Sequence, residues 1–185
     1  MLIGTTLQLR AIEEEDLPTL AAWRNDPAVY RYFFEHEPLS LVMQKAWFEK
    51  LLQRPDEKLW VAERIQGHQA VGTAGWSHLD WRNRKAELSR VLISQDCRKQ
   101  GLGSELVGLA LNYMFQHLNL NRVYLRVLAD NQAAISFYER LGFQREGLFR
   151  QSVFEEGAYR DVALMALLRK DYPRRKSSHP SPRRK

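Results

Sequence analysis

The chain has 185 residues, of which 44% are hydrophobic and 11% aromatic, a composition typical of a globular domain with a sizeable core. The single cysteine, Cys97, excludes an intramolecular disulfide framework and indicates a reducing, cytoplasmic setting. The net charge of +6 comes from residues 173–185, which hold six basic and no acidic residues, so residues 1–172 balance at 22 basic and 22 acidic. We therefore predict one domain over 1–172 and a basic, disordered tail over 173–185.

Neither a signal peptide nor a membrane-spanning helix is expected, because no apolar run approaches the roughly 20 residues that a bilayer requires. The basic tail would favour weak contacts with nucleic acid or the ribosome. The balanced charge of residues 1–172 argues against nucleic acid as the main partner.

The periodicity of apolar residues changes several times along the chain and predicts an α/β domain. Four acidic residues favour a helix start after residue 12, and Ser40 is a good N-cap for a second helix. A strand–helix–strand crossover in the second half predicts two parallel strands within a mixed sheet. In chain order we predict strand 5–11, helices 13–25 and 41–53, strands 58–65, 70–79 and 86–93, helix 101–117, strand 122–128, helix 132–141, and strands 143–154 and 158–168.

A glycine-rich turn separates the strand at 86–93 from the helix that follows, with the pattern Arg98-x-x-Gly101-x-Gly103. Free backbone N–H groups at a helix start bind anions, and glycine lets the anion approach closely. A P-loop would need Lys and Ser/Thr after the glycines, where Ser104 and Glu105 stand, and a dinucleotide fingerprint would need a small residue in place of Leu106. Two interpretations of the glycine-rich turn remain: a binding site for a pyrophosphate, or a turn with no ligand.

A second motif, N-x-x-A-x-x-x-Y-E-R-L-G-F, occupies residues 131–143. Together the two motifs resemble the GNAT superfamily of acetyl-CoA-dependent N-acetyltransferases. The resemblance covers about residues 7–171 and implies a single-domain GNAT-like fold, a mixed, mostly antiparallel twisted sheet with flanking helices and a splayed central pair of parallel strands. Trp-Arg-Asn-Asp-Pro at 23–27 and Gly-x-Tyr-x-Asp at 157–161 resemble the Rim-type branch, which includes ribosomal-protein N-terminal acetyltransferases.

The resemblance implies that acetyl-CoA lies between the two motifs, with its pyrophosphate on the glycine turn and its pantetheine arm along the central strand. Asn131 and Ala134 would contact the arm from the opposite side. The implied cofactor-binding residues are Val91, Leu92, Ile93, Arg98, Lys99, Gln100, Gly101, Leu102, Gly103, Ser104, Asn131, Ala134 and Tyr138. No metal is implied.

Acetyl transfer to an amine needs a base for the ammonium proton and an acid for the departing thiolate. By motif Tyr138 is the acid, with core packing as its alternative, and Glu87 is the candidate base. Glu87 would otherwise be a carboxylate paired with Arg84 or Lys85. The chain has about one residue more between Glu87 and the glycines than many relatives, so Arg90 marks either a bulge or a charge facing the cleft.

The acceptor wall in this superfamily comes from the first two helices and the final hairpin. Here those segments supply Trp23, Arg24, Phe34, Glu35, Glu37 and Glu155. The Rim-type resemblance predicts a protein N-terminal amine as acceptor, with a polyamine such as spermidine or an amino sugar as alternatives. A CoA-binding protein without catalysis, or one associated with ribosomes or nucleic acid, is the alternative from another class. Family members are often dimers or larger assemblies, so the resemblance allows a homodimer, while the sequence itself does not indicate an oligomeric state.

Overall fold

The structure, a computed structural model, describes residues 1–34, 37–155 and 157–172. Its helices and strands follow the predicted order, with a further short strand at the start and a further short helix after the first. The elements are β1 Leu2–Ile3, β2 Leu7–Ala11, α1 Leu17–Asn25, α2 Pro27–Tyr30, α3 Leu41–Leu52, β3 Lys58–Arg64, β4 Ala70–Asp80, β5 Lys85–Ile93, α4 Leu102–Gln116, β6 Arg122–Leu128, α5 Gln132–Arg140, β7 Gln144–Glu155 and β8 Ala158–Leu168.

The predicted first helix is shorter than expected because its opening residues form a separate 3₁₀ turn, Glu14–Asp16. Pro18 lacks the N–H that a continuous helix would use and therefore fits the first turn of α1. The residues between the two predicted helices contain the short helix α2, in which the Asp26 carboxylate accepts a hydrogen bond from the Ala28 N–H at 2.9 Å. No helix within the described residues is long and apolar enough to cross a membrane.

Eight strands form one mixed sheet in the order β1-β2-β3-β4-β5-β6-β8-β7. Among the described strand pairs, β5 and β6 run parallel and the others antiparallel, which confirms the predicted α/β fold. Both faces of the sheet are covered. Successive residues of β3 alternate between the two resulting cores, so that Trp60 packs with α4 and Val61 packs with α1 and α3.

The parallel pair is joined over only three positions, from Lys85–Arg122 to Glu87–Tyr124. Beyond Glu87 the two strands are no longer paired, although both continue. On its other side β5 stays paired with β4 as far as Ile93. The sheet is therefore open between β5 and β6, as the predicted splay requires, and the open part leads to the starts of α4 and α5.

Glu105, in the first turn of α4, ties this helix to the beginning of the chain. One carboxylate oxygen accepts hydrogen bonds from the N–H groups of Thr5, Thr6 and Leu7, at 2.6, 2.7 and 3.1 Å. Burial alone would raise the pKa of Glu105, but these donors outweigh burial and hold the pKa below its ordinary value of 4.5. The helix start that carries the glycine turn is thus fixed to the edge of β2.

We predict that Glu105→Ala lowers the free energy of unfolding by about 2 kcal/mol, because three backbone donors lose their charged acceptor. Because the pKa of Glu105 is lowered, its contribution to the free energy of unfolding depends on pH. The stabilisation is complete above the carboxyl group's ordinary pKa and is lost as the pH falls below 4.5 toward the pKa of the folded protein. Urea titrations from neutral to acid pH measure both effects. The exposed Glu15→Ala variant is the control, and an equal loss in both variants would contradict the assignment.

Candidate active site

A cavity of about 570 Å³ occupies the gap between β5 and β6, and we call it the central cleft. Beyond Glu87, β5 is paired only with β4. Its backbone edge on the β6 side is therefore open to hydrogen bonds from a ligand in the cleft. Of the predicted cofactor residues, those on β5 and α5 and one from the glycine turn line the cleft: Val91, Leu92, Ile93, Arg98, Asn131, Ala134 and Tyr138. The structure therefore brings the two sequence motifs together around one cavity.

The remaining predicted cofactor residues, Lys99 to Ser104, form the turn and the first residues of α4, next to the cleft rather than in its lining. Gly101 has φ +77°, a left-handed conformation that favours glycine. The Gln100 side chain accepts a hydrogen bond from Arg64 at 2.6 Å and donates one to the Asp96 carbonyl at 3.1 Å. The turn is thus held in shape, and the N–H groups of Leu102 and the next residue are among those that a helix start leaves unpaired.

Gly103 follows in the first turn of α4. A Cβ atom at this position would lie 3.6 Å from the Phe137 ring and 3.9 Å from the Ile93 side chain, which are ordinary contacts. The protein's own packing therefore does not require glycine here. A residue without a side chain at a helix start suits the close approach of a phosphate, so the turn fits the pyrophosphate of CoA.

Asn131 caps α5, because its side-chain oxygen accepts the Ala134 N–H at 3.1 Å. This hydrogen bond occupies the side-chain oxygen of Asn131. Because Asn131 lines the cleft, its side-chain NH₂ group is the part that can donate to a ligand there. Amide donors in this position suit the carbonyl oxygens of a pantetheine arm.

Tyr138 lies on the cleft side of α5, with its ring edge-on to Phe137 at 5.1 Å and to Phe143 at 5.6 Å between ring centroids. Burial raises the pKa of the Tyr138 hydroxyl above its ordinary value of 10. The phenol therefore keeps its proton at neutral pH. Both predicted roles are compatible with this placement, since the ring packs in the core while the residue lines the cleft.

Glu87 is 6% exposed and lies at the last position where β5 pairs with β6. Its two carboxylate oxygens accept hydrogen bonds from Arg126 Nε at 2.8 Å and Arg126 Nη2 at 3.2 Å. His78 Nδ1 lies 3.1 Å from Glu87 Oε2. The alternative ion pair with Arg84 or Lys85 is wrong, because Arg126 on the neighbouring strand takes that place. Lys85 instead lies 3.9 Å from an oxygen of Asp80.

Arg90 is both a bulge and a residue facing the cleft. Thr73 pairs with Leu92 and Gly75 with Ser89, so β5 has one residue more than β4 over this stretch. Arg90 takes φ +52°, and its carbonyl accepts the Thr73 hydroxyl at 2.7 Å. The bulge absorbs the additional residue, and Glu87 pairs with Ser77 of β4.

A second cavity, of about 460 Å³, lies between α1, α3 and strands β3 to β5, and we call it the Trp47 cavity. Trp23 and Glu37 line it, Phe34 lines the central cleft, and Arg24 lines both. Glu35 lies outside the described residues. Glu155 is buried at the end of β7 and lines neither of the two cavities. The structure thus brings Trp23, Arg24, Phe34 and Glu37 of the predicted acceptor wall together around two adjoining cavities. Glu155, the predicted residue from the hairpin, does not join them.

The cavity residues that were not predicted from the sequence include the polar or aromatic side chains of Gln44, Trp47, Asp56, Glu57, His78 and Arg126. Arg126 could have been found, because an arginine between Leu125 and Val127 is unusual in a strand that is otherwise apolar. His78 could not, because it reaches Glu87 through a second β-bulge, between the Ser77–Glu87 and Asp80–Lys85 pairs of β4 and β5.

Comparison with known proteins agrees with this geometry. Residues 6–144 match the family described as "Acetyltransferase (GNAT) domain". The spermidine N(1)-acetyltransferase of Vibrio cholerae is 30% identical over 170 residues, covering 92% of this chain and 97% of that protein. The enzyme of the same name from Escherichia coli is 31% identical over 167 residues, covering 90% and 88%.

A crystal structure of the V. cholerae spermidine N-acetyltransferase in complex with CoA and spermine superposes with a TM-score of 0.85 at 30% identity, covering 91% of this chain and 99% of that one. These relatives are not of the Rim type that the finer sequence motifs predict. The coarser prediction is confirmed, with acetyl-CoA as cofactor and N-acetyl transfer as activity. The chain belongs to the GNAT family of acetyltransferases.

Proposed function

We propose that the chain transfers the acetyl group of acetyl-CoA to a primary amino group of a polyamine. The names of the relatives support this acceptor over the protein N-terminal amine that the Rim-type resemblance predicts. The observation that carries the proposal in this chain is the distribution of paired and unpaired charges around the two cavities.

Three of the arginines that line the central cleft are paired with buried carboxylates. Glu57 is 5% exposed and binds both Arg54, at 2.8 Å, and Arg90. Glu87 binds Arg126. These arginines stabilise the two carboxylates, and the pairs leave little positive charge to repel a cationic substrate.

Two of the four carboxylates that line the cavities make no ion pair with any residue in the described part of the chain, residues 1–34, 37–155 and 157–172. Asp56 is half-buried and lines the central cleft, and Glu37 is exposed and lines the Trp47 cavity. A polyamine carries at least one further ammonium group besides the one that reacts, and such a group is attracted to an unpaired carboxylate. We assign Asp56 and Glu37 to the distal ammonium groups.

The reacting amine must lose a proton before it attacks, because an alkylamine with a pKa near 10 is mostly protonated at neutral pH. We assign this step to Glu87, with His78 beside it at the cleft. The nitrogen then forms a bond to the acetyl carbon, and backbone N–H groups on the open edge of β5 stabilise the oxyanion. Tyr138 donates its proton to the departing sulfur. Acetyl-CoA, when bound, supplies the activated acyl group.

The cofactor assignment predicts that Gly103→Val abolishes binding of acetyl-CoA, because the new side chain occupies the approach to the helix start. Binding is measured as the rise in melting temperature that acetyl-CoA causes in the native protein. The matched control is Gly108→Val, since Gly108 lies on the same helix with open space around its Cβ position. If Gly103→Val keeps the full rise, the pyrophosphate does not lie on this turn.

The acceptor assignment predicts that spermidine and acetyl-CoA together release free thiol, measured with a thiol reagent. Asp56→Asn should raise the KM for spermidine about fivefold, the effect of losing one partly exposed ion pair, while the KM for butylamine changes less. The exposed Asp171→Asn variant is the control. Equal changes with spermidine and butylamine would exclude Asp56 as the site of a distal ammonium.

For the chemical step, we predict that Tyr138→Phe lowers kcat about 100-fold or more while acetyl-CoA still raises the melting temperature, because only the proton donor is lost. Glu87→Gln should lower kcat similarly through loss of the proton acceptor. Tyr113→Phe is the matched control, since Tyr113 stacks on Trp76 in the core and lines neither cavity. A small, equal loss in both tyrosine variants would indicate that Tyr138 acts through packing.

A further inference from the structure

Two buried side-chain polar atoms have no hydrogen-bond partner among the described residues: Trp76 Nε1 and Ser89 Oγ. Buried polar groups are otherwise almost always hydrogen-bonded, because a group without a partner has lost its bonds to water and gained nothing in return. Trp76 packs against Trp60 and Tyr113 in the core and lines neither cavity. Ser89 lines the central cleft, so its hydroxyl is the unpartnered group that borders on the site of acetyl transfer.

The strand pairing explains why the Ser89 hydroxyl lacks a partner. Ser89 pairs with Gly75 of β4, which offers no side chain across the two strands. Glycine is required at this position of β4, because a Cβ atom would collide with the Lys58 carbonyl oxygen. The Thr73 hydroxyl on the same strand is already bonded to the Arg90 carbonyl at 2.7 Å. The fold therefore keeps the Ser89 hydroxyl unpartnered at the edge of the cleft.

The polar side chains on the same face of β5 and β4 are engaged with each other. Ser89 follows Glu87 by two residues in a regularly paired stretch of β5, so both side chains lie on one face of the sheet. The Glu87 carboxylate accepts hydrogen bonds from Arg126, and His78 Nδ1 lies 3.1 Å from one of its oxygens. His78 Nδ1 also lies 3.2 Å from the Ser77 hydroxyl oxygen. The Ser89 hydroxyl is thus a neutral donor outside this network.

The spacing of Glu87 and Ser89 suits the two partners of one reaction. Residues two apart on a strand are separated by about 7 Å. An amine ready to attack lies about 3 Å from the acyl carbon, and a hydrogen bond at either end adds about 3 Å along a bent path. The amino group needs an acceptor for its proton, whereas the acetyl oxygen needs a donor. Glu87 supplies the first, and Ser89 can supply the second.

We propose that the Ser89 hydroxyl donates a hydrogen bond to the acetyl oxygen, and that this bond strengthens as negative charge develops on the oxygen. The role rests on the acetyl transfer proposed above and adds a side-chain donor to the backbone N–H groups of β5. A hydroxyl rotates about its carbon–oxygen bond. It can therefore follow the acetyl oxygen as the acyl carbon changes from planar to tetrahedral.

The serine keeps its own proton throughout this reaction. As the amine nitrogen bonds to the acetyl carbon, the carbonyl electron pair moves onto the oxygen that Ser89 contacts. The amine proton passes to Glu87. When the carbon–sulfur bond breaks, the electron pair returns to restore the carbonyl, and the departing sulfur takes its proton from Tyr138. Ser89 therefore acts by charge stabilisation alone.

The protein without ligand provides the first test. Because the Ser89 hydroxyl has no partner there, Ser89→Ala should not lower the melting temperature. Thr73→Val removes a hydroxyl that is hydrogen-bonded, and it should lower the melting temperature. If Ser89→Ala lowers the melting temperature as much as Thr73→Val does, the hydroxyl has a structural partner and the proposal is wrong.

The second test measures thiol release with spermidine and acetyl-CoA. Ser89→Ala should lower kcat about 100-fold with little change in the KM for spermidine, because the donor acts on charge that develops in the transition state. Ser89→Thr keeps a hydroxyl and should stay within about threefold of the unsubstituted protein. The control is Ser152→Ala, since Ser152 is exposed on β7 and lines neither cavity. A raised KM with unchanged kcat would contradict the proposal.

The third test needs no acceptor amine and therefore separates this proposal from the proposed function. Infrared difference spectra are recorded for bound acetyl-CoA that is isotopically labelled at the acetyl carbonyl. The carbonyl band should lie at lower wavenumber in the unsubstituted protein and Ser89→Thr than in Ser89→Ala, because a hydrogen bond weakens the carbonyl bond. An identical band in all three overturns the role of Ser89, even if spermidine is acetylated. If no amine is acetylated, the proposed function fails and the band still decides the role of Ser89. Failure of acetyl-CoA to bind overturns both.

Discussion

The active site depends on the parallel pairing of β5 and β6 ending after Glu87 and Tyr124. Up to that point the central sheet is continuous, and beyond it each strand keeps only its outer partner, β4 or β8. The unpaired edges require hydrogen bonds that the neighbouring strand no longer supplies. A ligand with its own amide groups, as in the arm of CoA, can provide them. On the proposed assignment, the position where pairing stops therefore determines both where the cofactor enters and where the acyl group lies.

Irregular backbone places the charged residues around this opening. The bulge at Arg90 turns its guanidinium toward Glu57 and Trp47, and the bulge after Ser77 places His78 beside Glu87. Both bulges lie between the same two strands, one on each side of the reacting centre. Regular strands would direct alternate side chains to opposite faces of the sheet, so the bulges allow more polar groups to face the cleft than alternation permits.

The elements and the cofactor turn could be predicted from local sequence, because both depend on short-range chemistry. Alternation places β6 and β8 at their observed bounds, and the pattern around Gly101 reflects a left-handed glycine and a helix start. The partner of Glu87 could not be predicted in this way. Arg126 lies 39 residues further along the chain and meets Glu87 only because the parallel register places their strands side by side.

The charges around the two cavities bear on which amine the acetyl centre attracts. Buried Glu57 and Glu87 pair with arginines of the central cleft, whereas Asp56 and Glu37 line the cavities without an ion pair to any described residue. A cationic chain is therefore attracted toward those two carboxylates, one in the cleft and one on the Trp47 cavity. On the proposed assignment the reacting amino group lies beside Glu87 and Tyr138, so the reacting nitrogen and the distal ammonium groups are recognised by different carboxylates.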